Sequence, residues 1–181
     1  MVSRNFKPYL QGSMDSLCGV YVMLNALRSL ECINTQEQSE LAFRRLLRVI
    51  ELKHPLSDTI VDGTDIVQLE LMIRRVLQSD YCVQVERPFL SQSKDYSLDH
   101  VINGVSNFLE ERKGVAIISI GGYHDHWSLV RRVTNNSFLL FDSDRMQRLS
   151  FKNTFVSIRK PFGSRRVHHL EPYYTRFLWV E

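Results

Sequence analysis

The chain lacks the cysteine content of a disulfide-stabilised or zinc-binding domain. It has three cysteines, Cys18, Cys32 and Cys82, and no CxxC pair. Disulfide frameworks and zinc knuckles need more cysteines, in even numbers or at closer spacing. We therefore expect free thiols in a reducing compartment, with Cys32 and Cys82 as core side chains.

Long apolar runs and a strong charge of one sign are also missing. No segment approaches the roughly 18 consecutive apolar residues of a membrane span. The N-terminal "MVSRNFKPYL" lacks the apolar core of a signal peptide. A net charge of +3 is too small to indicate a nucleic-acid partner. We expect a cytoplasmic protein without a membrane partner, and secretion without a cleaved signal stays open.

No internal repeat, low-complexity tract or linker divides the sequence. A chain of 181 residues is long enough to bury one hydrophobic core without disulfide bonds or bound metals. We therefore predict a single domain over residues 1–181.

The first part of the chain has the apolar spacing of helices. That spacing predicts helices over 17–31 and 36–53, a third within "GTDIVQLELMIRRVLQ" that starts at a Thr or Asp cap, and a fourth within "SLDHVINGVSNFLEER". The segment "HPLSDTIVDG" reads as a loop, and "YCVQVE" as a strand.

The second part has short β-rich runs separated by turn residues. The runs are 115–120, 126–133, 137–142 and 149–158, and "RFLWV" offers a further strand near the C-terminus. Helices followed by hairpin-connected strands indicate an α+β fold, with an N-terminal helical half packed on a C-terminal antiparallel sheet.

Cys18 stands where the first predicted helix starts, in "YLQGSMDSLCGVYVMLNAL". The unpaired N–H groups of a helix start favour an anion, and a nearby imidazolium further stabilises a thiolate. We expect Gly19 to allow close approach of a substrate backbone. The Cys18 N–H and the Gln11 side-chain amide are candidate donors to an oxyanion. Asp15 is expected to shape the intervening loop through bonds to the backbone.

A thiol nucleophile needs a base, and the best-placed of the six histidines is His126 in "GGYHDHWSLV". Alternation along the strand would place Trp127 on the opposite face. Asp142 ends the next strand, and the "TNN" turn would return it to the imidazole. His124 is the substitute base, and Asp144 competes for the orienting role.

These residues resemble the papain-like cysteine peptidase superfamily. The segments that carry the likeness are "QGSMDSLCGVY", "HDHWSLV" and "FDSD", in the order Gln, Cys, His, Asp. The chain is most similar to small bacterial members built like the leader peptidases of bacteriocin transporters. The His-Trp strand also resembles deSUMOylase-type proteases, which place the cysteine after the histidine. Residues 33–112 carry no part of the likeness, and the Gln-to-Cys gap is one residue longer than in papain.

The resemblance implies a papain-like fold and a cysteine peptidase. It assigns Cys18 as nucleophile, His126 as general base, Asp142 as the group that orients the imidazole, and Gln11 as oxyanion donor. The substrate is then a protein or peptide, with a partner protein possible and no cofactor. The same residues would also serve a deamidase, transglutaminase or acyltransferase, or persist in an inactive binding module.

Two further features suggest other functions. His124, His126 and a nearby Asp are metal-ligand types, although no third His or Cys ligand stands at a suggestive spacing. The basic cluster "RKPFGSRRVHHL" (159–170), which includes Arg165 and Arg166, would meet an acidic or nucleic-acid partner if it is more than a solvated loop.

Overall fold

A computed structural model describes residues 6–91, 96–122, 125–156 and 167–181 of the chain. The α-helices are α1 (Cys18–Ser29), α2 (Gln36–Glu51), α3 (Leu56–Asp62), α4 (Ile66–Met72), α5 (Ser79–Tyr81) and α6 (Leu98–Glu111). The strands are β1 (Gln84–Glu86), β2 (Gly114–Gly122), β3 (His126–Thr134), β4 (Ser137–Leu140), β5 (Arg148–Ser150), β6 (Thr154–Phe155), β7 (His168–Leu170) and β8 (Arg176–Trp179). Mixed helix and antiparallel sheet confirm the predicted α+β class.

Polar caps fix the starts of three helices. The Thr35 hydroxyl accepts the Gln38 N–H at the start of α2, and the Gln38 side chain closes a capping box. Asp65 and Gln68 form the same arrangement at α4, which confirms the predicted Asp cap. Ser97 caps α6. These bonds satisfy N–H groups that have no acceptor inside the helix.

The sheet runs in the order β1-β8-β2-β3-β4-β5, with antiparallel pairing throughout this path. The C-terminal strand β8 lies between β1 and β2, so a strand from the middle of the chain and the last strand are neighbours in one sheet. β7 extends the pairing along β2, and the pair β6–β7 is parallel. The long central strands β2 and β3 are the platform on which the candidate site is built.

Helices cover both faces of the sheet rather than one. α1, α2 and α4 pack with Val115, Ile117 and Leu129 in one apolar cluster. α6 packs on the opposite face, against a second cluster that includes Ile118 and Val130. The helical half is therefore split between two layers, because strands β2 and β3 carry apolar side chains on both faces.

Several segments differ in detail from the secondary structure that the sequence predicts. The segment "HPLSDTIVDG", which is expected to be a loop, contains α3. Helix α4 continues directly into a π-helix over Ile73–Gln78. The run 137–142 is strand only to Leu140, and the run 149–158 is interrupted by a 3-10 turn at Phe151–Asn153. Among the described residues, no helix combines the length and apolar character that crossing a bilayer requires.

Candidate active site

Cys18 is the first residue of α1 and is 7% exposed. Leu17 precedes it as N-cap and makes no side-chain hydrogen bond to the helix. The Cys18 N–H therefore belongs to the first turn, where backbone donors have no acceptor within the helix. The structure places the thiol at a buried helix start, as the sequence predicts.

The loop between Gln11 and Cys18 is held by backbone bonds. The Asp15 carboxylate accepts the N–H of Gly12 at 2.7 Å and that of Leu17 at 3.2 Å, which confirms its predicted local role. The Gln11 N–H donates to the Ser143 carbonyl at 3.1 Å. This bond ties the loop before α1 to the segment that carries Asp142.

His126 begins β3, and its Nε2 lies 2.7 Å from Asp142 Oδ2. Asp142 follows β4 and stays beside β3 because the Phe141 N–H donates to the Leu129 carbonyl at 2.8 Å. The predicted return of the second strand onto the first therefore occurs.

The Asp142 carboxylate is 2% exposed and accepts three further hydrogen bonds. The Ser128 hydroxyl donates to Oδ2 at 2.6 Å, and the N–H groups of Asp144 and Met146 donate to Oδ1 at 2.8 and 3.0 Å. Such a bond set stabilises the ionised carboxylate. Asp142, not Asp144, is the carboxylate on His126, and Asp144 is exposed.

These contacts set the charge states of the pair. Burial lowers the pKa of His126, but hydrogen bonds and charges from Asp142 and Cys18 outweigh it and raise the value to about 10. Burial raises the pKa of Asp142, and the bonds from His126, Ser128 and Met146 outweigh that effect and lower it. The site therefore holds an imidazolium on a carboxylate at neutral pH.

Cys18 shares the cleft with the His126 ring and is close enough to contribute to the raised pKa of the imidazole. Because Nε2 is occupied by Asp142, Nδ1 is the ring nitrogen that is left for the thiol. One imidazole thus connects a thiol at a helix start with a buried carboxylate. This is the geometry in which a base and its orienting group activate a nucleophile.

Gln11 lies in the same cleft as Cys18 and His126. Its Oε1 accepts a long hydrogen bond of 3.4 Å from the Ser143 hydroxyl. Its Nε2 has no hydrogen-bond partner within the described part of the chain. The side-chain amide therefore has a free donor on the wall of this cleft.

The cleft has a volume of about 560 Å³ and is bounded by four parts of the chain. One is the turn at Gly63, a residue with φ +93°. Trp127 fixes that turn, since its Nε1–H donates to the Thr64 carbonyl at 2.8 Å. The further lining residues that the sequence did not single out for this site are Ser16, Asp62, Asp65, Ile66, Ser119, Asp125, Glu171 and Tyr174.

The reason predicted for a glycine at position 19, close approach of a substrate backbone, is wrong. A Cβ on this residue would stand 2.6 Å from the Thr64 Cβ, and the whole residue is buried. The missing side chain of Gly19 makes room for Thr64, and not for a substrate backbone. Gly19 thus positions a wall of the cleft.

The other cysteines and histidines that the sequence offered as candidates lie in different settings. Cys82 is exposed and Cys32 half-buried, so the core interpretation of Cys82 is wrong. His168 and His169 lie on β7 rather than in a loop. His124 and the residues 157–166 lie outside the described residues. Within the described part of the chain, no group of three or more His, Cys, Asp or Glu side chains is arranged to hold a metal.

No known family model matches the chain, and no curated protein matches it either.

Proposed function

We propose that the chain is a thiol hydrolase of papain-like architecture that cleaves a peptide or isopeptide bond. The observation that carries this proposal is the position of His126, whose ring hydrogen-bonds the buried Asp142 carboxylate and lines one cleft together with Cys18. Gln11 lines the same cleft and supports the proposal as an oxyanion donor.

The first half-reaction is acylation. The Cys18 thiolate attacks the substrate carbonyl carbon, and the C=O electron pair moves to oxygen. The Cys18 N–H and the Gln11 Nε2–H donate to this oxyanion, where they stabilise charge that develops only during reaction. His126 then donates its Nδ1 proton to the leaving amine as the C–N bond breaks, which leaves a thioester on Cys18.

The second half-reaction is hydrolysis. Neutral His126 accepts a proton from water at Nδ1, and the resulting hydroxide attacks the thioester carbonyl. The C–S bond breaks, the carboxylic acid leaves, and the thiolate–imidazolium pair returns. Asp142 remains ionised throughout and holds Nε2–H, so that Nδ1 carries the transferred proton.

Acylation by p-nitrophenyl acetate tests this function without knowledge of the natural substrate. We expect the acetyl group to add to Cys18 as p-nitrophenolate leaves, and water then to remove it, because the ester carbonyl uses the same nucleophile and oxyanion donors. Nitrophenolate release and mass spectrometry of the labelled peptides measure the two steps.

Cys82 is the internal control, since it is an exposed free thiol in the same chain. Accessibility alone would favour acetylation of Cys82 over the buried Cys18. Cys18→Ser should abolish the rapid release of nitrophenolate that accompanies acetylation of Cys18. Acetylation of Cys18 at a rate equal to or slower than that of Cys82 would overturn the proposed function.

A further inference from the structure

Five carboxylates line the cleft that contains Cys18 and His126, and no lysine or arginine is among its described lining residues. The carboxylates belong to Asp15, Asp62, Asp65, Asp125 and Glu171. The chain as a whole carries a net charge of +3, so the cleft is opposite in sign to the protein around it. Three other grooves on the described surface each include lysine or arginine.

Among the described lining residues, the His126 imidazolium is the one cationic group, and its partner is Asp142, which does not line the cleft. The ion pairs between arginine and carboxylate in the described part of the chain involve Asp80 and Glu70, neither of which lines the cleft. Clefts lined by one sign of charge focus the field and concentrate ligands of opposite sign.

Backbone and hydroxyl groups hold three of the five side chains in place. Asp15 accepts two N–H groups of its own loop, and Asp65 caps α4. The Ser119 hydroxyl donates to Glu171 Oε2 at 2.7 Å. These bonds orient the carboxylates without removing their charge.

The acidic side chains come from separate parts of the cleft lining. Asp62 and Asp65 flank the turn at Gly63. Glu171 Oε2 and Asp125 Oδ1 converge near Gly121, each within 3.7 Å of the point where a Cβ on that glycine would stand. Because Asp125 directly precedes His126, this second pair of carboxylates belongs to the part of the cleft beside the imidazole.

A buried hydroxyl at the Gly63 turn also has no partner within the described part of the chain. Thr64 is 8% exposed and lines the cleft, and its Oγ1 makes no hydrogen bond to any described residue. Buried polar atoms are rarely left unpaired. A threonine hydroxyl accepts as well as donates hydrogen bonds, so an ammonium or a guanidinium in the cleft is one type of ligand group that could pair with it.

We propose that the segment of substrate bound in this cleft is cationic, a peptide stretch that carries lysine or arginine close to the reacting carbonyl. This inference rests on the proposed function for its peptide substrate, and it names the class of peptide. The carboxylates attract the segment and exclude acidic sequences.

Peptide binding to the Cys18→Ser protein tests the inference apart from catalysis. Fluorescein-labelled peptides of alternating lysine and glycine are compared by fluorescence anisotropy with matched peptides that carry glutamine or glutamate instead of lysine. We expect the lysine peptide to bind at least about tenfold more tightly than the glutamine peptide at low salt. The difference should shrink as salt screens the charges, and the glutamate peptide should not bind.

Two triple variants in the same background decide where the selectivity resides. Asp62→Asn, Asp125→Asn and Glu171→Gln together should remove the preference for lysine. Glu37→Gln, Glu51→Gln and Glu111→Gln change the net charge equally at exposed positions outside the cleft, and should retain it. Thermal melting curves serve to check that both variants are folded.

Equal affinity for the lysine and glutamine peptides would overturn the inference, and so would equal losses in the two triple variants. Since the binding protein lacks the nucleophile, failed acylation of Cys18 in the wild type would contradict the hydrolase alone. A lysine preference lost only from the cleft variant supports the cationic substrate.

Discussion

Replacing Gln11 with alanine should slow acetylation of Cys18 by p-nitrophenyl acetate about 10²–10³-fold, the usual effect of removing one oxyanion donor. The Gln11 Nε2 group has no partner among the described residues, and it lies in the cleft with Cys18. Its Oε1 accepts the Ser143 hydroxyl, so the amide is held at one end and free at the other. Stopped-flow release of nitrophenolate measures the rate.

Iodoacetamide separates this effect from damage to the nucleophile. Alkylation displaces iodide from a methylene carbon and forms no oxyanion, so the Gln11→Ala variant should be alkylated at Cys18 as fast as the wild type. Gln36→Ala, at an exposed glutamine of α2, is the matched control and should leave both reactions unchanged. Acetylation and alkylation slowed alike would contradict an oxyanion role for Gln11.

Replacing Asp142 with alanine should lower the free energy of unfolding by about 3–5 kcal/mol, because it breaks the buried ion pair with His126 by removing one partner. It also removes the acceptor of the Ser128 hydroxyl and of two backbone N–H groups. Urea denaturation at pH 7 measures the loss from the shift in midpoint.

The pH dependence of this loss has a defined sign. The fold lowers the pKa of Asp142, so its stabilisation is fully present above the unfolded carboxyl pKa of about 3.9 and is lost as the pH falls through the folded value. The difference between wild type and variant should therefore shrink below about pH 4.

Asp144→Ala is the control for Asp142→Ala. Asp144 is exposed, and only its backbone N–H takes part in the network, so the expected change is within about 0.5 kcal/mol. Similar losses in the two variants would contradict the assignment of Asp142 as the structural partner of His126.

The close approach of His126 and Asp142 could be predicted from the sequence because it depends on local rules. Two adjacent strands joined by a short turn bring the start of one beside the end of the other, and alternation separates His126 from Trp127. Helix starts were equally readable where a cap is present, as at Asp65. The papain-like relationship and the roles of the four residues remain predictions.

Other parts of the cleft could not be read from the sequence because they depend on tertiary packing. Glu171 enters the cleft because β7 pairs with β2, and a three-residue strand gives little pattern to recognise. The helix α3 has few apolar residues and a proline at its N-cap, so its segment resembles a loop. The need for Gly19 appears only once Thr64 is packed against it.

The most direct test of the central claim is the rate at which iodoacetamide alkylates Cys18 and Cys82 in the same wild-type protein between pH 5 and pH 9. An ordinary thiol has a pKa of about 8.5 and is almost fully protonated at pH 6. His126 stays protonated over this range, since its pKa is raised to about 10. We predict that the imidazolium keeps Cys18 reactive at pH 6, with a rate at least about tenfold that of Cys82. Alkylation of Cys18 that is no faster than that of Cys82 at pH 6, and that rises in parallel with it toward pH 9, would contradict the account.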